Sequence, residues 1–150
     1  MGQVISFSEI EEKLLSQRSS QKIVFTNGCF DLLHVGHVRY LKQAKTLGDI
    51  LIVGLNTDSS VRGLKGEGRP IQNENDRAEI LASLACVDFV VLFSEETPIE
   101  LIKKILPDYL VKGGDYEPEK IVGYDVVTAN GGKVLALDHV EGKSTTSLIS

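Results

Sequence analysis

The sequence predicts an α/β domain, a doubly wound parallel sheet of five strands with helices on both faces. Two observations lead to this fold class. Short apolar runs rich in β-branched residues recur at residues 23–25, 49–55, 87–93, 109–112 and 133–137, and near-continuous apolar runs are typical of strands buried on both faces. Helical periodicity lies between them, at residues 35–47, 75–85, 98–105 and 117–129. Strand alternating with helix implies parallel strands joined by right-handed crossovers.

The first 21 residues are expected to form a helical lead-in to the main domain, residues 22–150. Ser8 and Glu11 have the spacing of a capping box, and Ile10 and Leu14 follow at helical spacing, so a short amphipathic helix is predicted. A chain of 150 residues has the length of one domain with a single core. Because no repeat or interdomain linker interrupts the pattern, we expect a single domain.

Composition excludes several classes of protein. The formal net charge of −5 argues against a nucleic-acid or membrane-surface partner, since both favour a basic surface. No apolar run is long enough to cross a bilayer, and residues 1–12 lack the pattern of a signal peptide, so a cytoplasmic location is expected. Two cysteines, Cys29 and Cys86, are too few for a disulfide framework. A nucleophilic role for Cys29 would require a base that the sequence does not identify.

One stretch, residues 26–37, combines two glycines with two histidines. It reads Thr-Asn-Gly-Cys-Phe-Asp-Leu-Leu-His-Val-Gly-His and connects the first strand to the helix that follows. A helix N-terminus offers unpaired N–H groups and the positive end of the helix dipole, and Gly28 and Gly36 allow a ligand to approach the backbone. The stretch therefore predicts a phosphate site, with His34 and His37 at the start of the helix.

Other polar turns follow the remaining strands of the predicted sheet. Residues 56–58 (Asn-Thr-Asp) follow the second strand, residues 112–116 (Lys-Gly-Gly-Asp-Tyr) the fourth, and residues 142–147 (Gly-Lys-Ser-Thr-Thr-Ser) come after the last. In a doubly wound sheet, ligands bind beyond the carboxyl ends of the strands, near the reversal of strand order. These turns are therefore expected to lie together with the turn at residues 26–37 and to form one site.

These motifs resemble the nucleotidyltransferase superfamily with a His-x-Gly-His signature, the cytidylyltransferase-like group, whose fold is Rossmann-like. The span from about residue 22 to residue 150 is similar to one branch in particular, the adenylyltransferase domain that makes ADP-heptose from heptose 1-phosphate. The residues that indicate this branch are 26–31, 54–58, 69–71, 75–77, 112–116 and 142–146.

The resemblance implies a role for each part of the site. His34 and His37 would face the triphosphate and stabilise charge that develops on its oxygens, with Lys65 as a phosphate ligand. The nucleotide- and phosphate-binding residues would be Thr26, Asn27, Gly28, Cys29, Phe30, Asp31, Gly36, Lys112, Gly113, Gly114, Asp115, Ser144, Thr145 and Thr146. Simpler interpretations remain open, because the two histidines, Asp31, and the hydroxyls of residues 144–146 are all residue types that cap helices.

The glycine-rich segment at residues 62–72 is the longest irregular stretch in the sequence. It contains Arg62, Lys65 and Arg69, which are either solvated charges or a lid that closes on phosphate. Arg77 lies at the start of a predicted helix, where the helix dipole disfavours a cation, so it is expected to have a partner. That partner is either a structural carboxylate or the phosphate of the acceptor.

The function expected from the resemblance is transfer of AMP from ATP to a sugar 1-phosphate, a glycero-manno-heptose 1-phosphate, with release of pyrophosphate. Mg²⁺ is expected to bind through the ATP phosphates, and no protein metal ligand is predicted. The resemblance also implies a homodimer and a separate sugar kinase. One rival is a CTP-dependent enzyme acting on glycerol 3-phosphate, although residues 140–143 lack the arginine usual in those relatives. Another is a nucleotide-binding regulatory module without catalysis.

Overall fold

A single parallel sheet with helices on both faces makes up the computed structural model, which describes residues 2–114 and 116–137. The described strands are β1 (Gln3–Ile5), β2 (Ile23–Gly28), β3 (Ile50–Asn56), β4 (Phe89–Phe93), β5 (Tyr109–Gly113) and β6 (Lys133–Leu137). The described helices are α1 (Ile10–Leu15), α2 (Val35–Lys45), α3 (Asp58–Lys65), α4 (Glu74–Ala82), α5 (Ile99–Ile105) and α6 (Tyr124–Ala129), with a 3-10 turn at Pro118–Lys120. None of these helices combines the length and apolarity needed to cross a membrane. The predicted fold class is confirmed.

The strand order β1-β4-β3-β2-β5-β6 places the reversal of the chain beside β2. From β2 the chain moves outward through β3 to β4, then returns to β5 on the other side of β2, and every described pairing is parallel. Phe25 on β2 accordingly pairs with Ile52 on one side and Leu110 on the other. In sheets of this type the crevice between the two diverging strands is the usual ligand site, and here it lies between β2 and β5.

Two apolar layers, one on each face of the sheet, form the core. Adjacent residues of β2 enter different layers, with Phe25 on the face covered by α1, α5 and α6, and Val24 on the face covered by α2 and α4. Every residue of β3 is buried. Because both faces of the central strands are covered, their sequences are apolar at consecutive positions and do not alternate with polar residues. These strands could therefore be predicted from the sequence.

The sheet has six described strands where the sequence predicted five. The additional strand, β1, lies at the edge of the sheet and pairs its residues Gln3–Ile5 with Phe89–Val91 of β4. It is three residues long and partly exposed, with Val4 52% accessible, so it lacks the apolar run that marks the other strands. The predicted capping box was also wrong, because α1 begins at Ile10 and the side chain of its N-cap residue, Glu9, makes no capping hydrogen bond to the helix.

One observed helix, α3, was not among the predicted helices, and one predicted helix is divided. The segment predicted to be irregular from residue 62 begins inside α3, which ends at Lys65 and is capped at its start by the Thr57 hydroxyl. The helix predicted at residues 117–129 is divided into the 3-10 turn and α6. Gly123 causes the division, since its φ of +98° is outside the helical region and belongs to a conformation that favours glycine.

Replacement of Gly123 by alanine should destabilise the fold more than the same change at Gly131. Both glycines have positive φ, +98° and +85°, so alanine costs about 1–2 kcal/mol in backbone strain at either position. A Cβ at Gly123 would also lie 2.8 Å from Ile102 Cδ1, whereas none of the described atoms lies within 4 Å of one at Gly131. The clash should add about 1–3 kcal/mol for Gly123→Ala. Urea unfolding of the two variants measures the difference, and equal losses would contradict this account.

Candidate active site

A cavity of about 790 Å³ lies beyond the carboxyl ends of β2 to β5. It collects residues that are far apart in the sequence but adjacent at this edge of the sheet, as expected for parallel strands. The predicted site residues that line it are Asn27, Gly28, Cys29, Phe30, Asp31, His34, Gly36, His37, Lys65, Arg69, Lys112 and Gly113. The turns after β2 and β5 therefore border one cavity.

Other predicted site residues are located elsewhere. Four described residues do not line the cavity, namely Thr26, Arg62, Arg77 and Gly114. Thr26 is buried in β2 and its hydroxyl lies 2.7 Å from that of Tyr40, while Arg62 is exposed on α3. Gly114 is buried and donates its N–H to the carbonyl of Leu137. Asp115, Ser144, Thr145 and Thr146 lie outside the described residues.

Two imidazoles cap the start of α2. His34 is the N-cap, and its Nδ1 accepts a hydrogen bond from the Gly36 N–H at 3.0 Å, while His37 Nδ1 accepts from the His34 N–H at 3.2 Å. The ring centroids are 3.9 Å apart. Because both Nδ1 atoms act as acceptors, a neutral ring carries its proton on Nε2. Helix capping thus fixes the tautomer, with Nε2–H as donor on two rings that line the cavity.

His37 is held in its neutral form. Burial is the main cause that lowers its pKa from 6.5 to about 4, and the positive charges of His34 and Lys65 act in the same direction. Lys65 is the last residue of α3 and lines the same cavity as His37, so the end of α3 and the start of α2 both border the cavity. At neutral pH this ring is therefore a neutral hydrogen-bond donor.

Phe30 gives the turn between β2 and α2 its shape. It is one of two described non-glycine residues with positive φ, at +45°, a region that costs a residue with a Cβ about 1–2 kcal/mol. Its ring packs edge-on against His37, with 5.5 Å between the ring centroids. Strained residues of this kind are concentrated at binding sites, and here the strained backbone directs an aromatic ring against one of the two capping histidines.

Asp31 anchors the segment that follows α3. Its buried carboxylate accepts from the Arg69 guanidinium at 2.8 Å and from the main-chain N–H groups of Ile71 and Gln72 at 2.8 and 2.9 Å. Burial alone would raise the pKa of Asp31, but hydrogen bonds from Gln72, Ile71 and Arg69 outweigh it and lower the pKa. Asp31 is not the cap of α2, which is His34; it connects the turn to the predicted lid.

Arg77 has its partners inside the protein. It is 1% exposed, and its guanidinium donates to the carboxylate of Asp58 at 2.8 Å. It also donates to the main-chain carbonyls of Cys29, Asn56 and Gln72 at 2.8, 2.8 and 3.0 Å. Of the two partners considered from the sequence, a carboxylate or a substrate phosphate, the structure provides the carboxylate.

The charges that face the cavity are mainly cationic. Lys65 and Lys112 line it from opposite sides of β2, and Arg69 lines it while paired with Asp31. Lys112 is largely buried, which lowers its pKa, although Cys29 acts in the opposite direction. No group of three or more metal-ligating side chains occurs in residues 2–114 and 116–137. The lysines and the arginine make the cavity suited to a polyanion.

Sequence reasoning missed Glu96 and Thr97, which line the cavity from the segment after β4. They follow the third predicted strand, the one strand whose following residues were not considered as part of the site. The Glu96 carboxylate makes no hydrogen bond or ion pair within the described residues. Inspecting the residues after every strand, including β4, would have identified both.

The cytidylyltransferase-like family profile matches residues 25–146, most of the chain. The chain belongs to the cytidylyltransferase-like family. This confirms the resemblance carried by residues 26–37 and makes the chain a member of a nucleotidyltransferase family.

Curated relatives of the family align closely with this chain. A bifunctional protein HldE of Syntrophotalea carbinolica is 57% identical over 135 residues, 90% of this chain and 28% of the relative. Another, of Campylobacter concisus, is 56% identical over 144 residues, 96% of this chain and 29% of the relative. The chain thus spans less than a third of the length of these relatives.

Solved structures show the same fold. The lipopolysaccharide core biosynthesis protein of Thermoplasma volcanium has a TM-score of 0.64 and 30% identity, covering 80% of this chain and 97% of that one. A pantoate-beta-alanine ligase of Francisella tularensis, complexed with beta-gamma ATP and beta-alanine, has the same TM-score at 17% identity, over 92% and 67% of the two chains. The second likeness concerns the fold alone.

His37 should make the stability of the protein depend on pH. Its pKa is about 4 when folded and 6.5 when unfolded, so between these values the unfolded chain binds more protons. The free energy of unfolding should therefore fall as the pH is lowered from about 6.5 towards 4, and be unaffected by this group above that range. His37→Gln should lose less stability between pH 7 and pH 5 than wild type in urea unfolding. An identical pH dependence in both proteins would show that His37 is not held neutral.

Proposed function

We propose that this chain transfers AMP from ATP to a sugar 1-phosphate, a glycero-manno-heptose 1-phosphate, and produces ADP-heptose and pyrophosphate. The observation that carries the proposal is the arrangement of two Nδ1-tethered imidazoles at the start of α2, opposite Lys65. Their Nε2–H donors and the Lys65 ammonium suit negatively charged nonbridging oxygens. The crevice between β2 and β5 provides the space for the nucleotide.

In the proposed reaction an oxygen of the acceptor phosphate attacks the α-phosphorus of ATP. A new P–O bond forms there, and the bond from the α-phosphorus to the oxygen shared with the β-phosphate breaks, so that pyrophosphate leaves with the electron pair. The acceptor phosphate is already ionised at neutral pH, so a general base is unnecessary. His34 and His37 donate hydrogen bonds to the nonbridging oxygens, and Lys65 neutralises charge on the departing phosphates.

Magnesium fits this site as a component of the nucleotide. Asp31 is occupied by its hydrogen bonds from Arg69, Ile71 and Gln72, and we propose that the triphosphate oxygens would be the principal ligands of the ion. A bound Mg²⁺ would neutralise part of the triphosphate charge. Lys65 and Lys112 supply the remaining positive charge from the protein.

The relatives support the choice of substrate. The chain resembles the ADP-heptose branch at residues 54–58, 69–71 and 112–116, and the bifunctional proteins HldE match it at 56–57% identity. A similar structure is a lipopolysaccharide core biosynthesis protein, which agrees with a role in cell-surface carbohydrate synthesis. We further propose a cytoplasmic location, a homodimer, and a sugar kinase activity that supplies the acceptor.

Loss of either histidine should reduce turnover without unfolding the protein. His34→Ala and His37→Ala each remove one donor to the reacting phosphate, and loss of such a donor costs about 100-fold or more in kcat. Pyrophosphate release at saturating MgATP and acceptor measures the effect, with circular dichroism to confirm folding. Turnover within a few-fold of wild type in both variants would overturn these roles.

The substrates are tested by crossing two nucleotides with two acceptors. MgATP and MgCTP are each combined with heptose 1-phosphate and glycerol 3-phosphate, and pyrophosphate release is followed. We expect the highest kcat/KM for ATP with heptose 1-phosphate. A preference for CTP with glycerol 3-phosphate would establish the cytidylyltransferase alternative. Tight MgATP binding without pyrophosphate release for any acceptor would establish a regulatory module.

Glu96 is proposed to contact hydroxyl groups of the acceptor sugar. An unpaired carboxylate in a mainly cationic cavity repels phosphate but accepts hydrogen bonds from a diol. Glu96→Gln should raise the KM for heptose 1-phosphate by about tenfold, the cost of a weakened hydrogen bond to a charged group, and leave the KM for ATP unchanged. Glu95→Gln is the matched control, because Glu95 does not line the cavity. A rise confined to the KM for ATP would assign Glu96 to the nucleotide instead.

A further inference from the structure

Arg77 joins four segments that surround the cavity, although it does not line the cavity itself. Both Nη1 hydrogens are used within the protein, since Nη1 donates at 2.8 Å to the carbonyl of Cys29 in the turn after β2 and to that of Asn56 at the end of β3. Nη2 donates to Asp58 at the start of α3, and Nε donates to the carbonyl of Gln72. One side chain thus connects the histidine-bearing turn with the helix that ends in Lys65.

The connection at Gln72 involves two buried charges. The N–H of Gln72 donates to Asp31 at 2.9 Å, and its carbonyl accepts from Arg77 at 3.0 Å. The segment that follows α3 is therefore fixed at this residue to both Asp31 and Arg77. The start of α3 is fixed as well, because Glu74 accepts from the Asp58 N–H at 2.9 Å while Asp58 pairs with Arg77.

Core stability alone is a weak explanation for this arginine. A buried cation has a large desolvation cost, and replacing a buried ion pair by apolar side chains is often neutral or stabilising. Its position in the first turn of α4 adds an unfavourable interaction with the helix dipole. What the guanidinium does provide is a planar set of donors that holds several acceptors at fixed angles, which a lysine ammonium does not.

We propose that Arg77 is a positioning residue that sets the distance across the cavity between Lys65 and the two histidines. Its bond to Cys29 fixes the turn that leads to His34, and its pair with Asp58 fixes the opposite wall through the rigid helix α3. Two further contacts hold the same walls together, since Asn56 donates to Ser60 of α3 at 2.8 Å and accepts from the Cys29 thiol at 3.8 Å. The proposal rests on the triphosphate site described above.

A double-mutant cycle tests the proposal. Arg77→Lys keeps the charge but loses the planar donors, and we expect it to lower kcat/KM by about 100-fold, as for a displacement of about 1 Å in a reacting site. If Arg77 acts by placing Lys65, introducing Arg77→Lys into the Lys65→Ala variant should lower kcat/KM by less than about threefold. The reason is that the effects of coupled residues are not additive. Losses that multiply in full would overturn the proposal.

Arg18→Lys is the matched control. Arg18 also donates to main-chain carbonyls, those of Ile105 and Leu106 at the end of α5, but it does not line the cavity. The Arg18→Lys variant should have a lower thermal unfolding midpoint and an unchanged kcat/KM. If its kcat/KM fell as much as that of Arg77→Lys, both losses would be due to general destabilisation. Should Arg77→Lys fail to fold, Asp58→Ala serves in its place, and its kinetic loss should likewise disappear in Lys65→Ala.

A second readout separates this proposal from the proposed function. The same cycle is measured by calorimetric binding of MgATP and, in parallel, MgCTP, which requires no acceptor. If no sugar phosphate supports turnover but the binding losses remain non-additive, the acceptor assignment fails and the positioning role of Arg77 stands. Additive binding losses in a protein whose wild type turns over heptose 1-phosphate would overturn the positioning role and leave the proposed function intact.

Discussion

The two hydrogen bonds from the start of α2 to imidazole Nδ1 atoms are the interaction on which the site depends. A helix start usually satisfies its free N–H groups with a serine, threonine or aspartate side chain. Aspartate would place a negative charge where the proposed triphosphate would bind. Histidine accepts the same N–H with Nδ1 and presents a donor, Nε2–H, on the far side of the ring. His34 and His37 thereby satisfy the helix and still offer hydrogen bonds to an anion.

The buried charges of this protein also have their hydrogen-bonding partners within the protein. Asp31 and Arg77 are the buried charged residues of opposite sign at the site, and both are saturated by contacts with the segment that follows α3 and with the turn after β2. Lys65, by contrast, is exposed at the end of its helix. The internal charges hold the walls in place, so the charges left at the cavity surface are those that a ligand can neutralise. A net charge of −5 gives no sign of this local positive field, which is why composition alone is a poor guide to small anionic ligands.

The sequence predicted the parts of the fold that depend on local pattern. Strands buried on both faces are apolar throughout, and the glycines and histidines of the turn at residues 26–37 are close together in the sequence. The edge strand β1 was missed because only its pairing with Phe89–Val91 makes it a strand. Gly123 divides a helix through its positive φ, and the side chain that excludes a Cβ there belongs to Ile102, 21 positions away in the chain. The partners of Arg77 in β3 and the turn after β2 lie at similar or greater separations, so the sequence indicated that a partner was needed but did not identify it.

The two ends of α3 differ in how firmly they are held, the start by Arg77 and its neighbours and the end, at Lys65, by fewer contacts. The start of α3 is held by Asp58, Thr57 and Asn56, whereas the residues just beyond its end, Gly66 and Gly68, have no described atom within 4 Å of where a Cβ would lie. Segments with few packed contacts open at low free energy. Lys65 therefore lies between the anchored start of α3 and two glycines with open surroundings, before the segment is anchored again at Arg69 to Gln72. Under the proposed function, Arg77 would orient the main chain of Lys65 and its long side chain would follow the phosphates, a combination that serves a site in which one anion arrives and another departs.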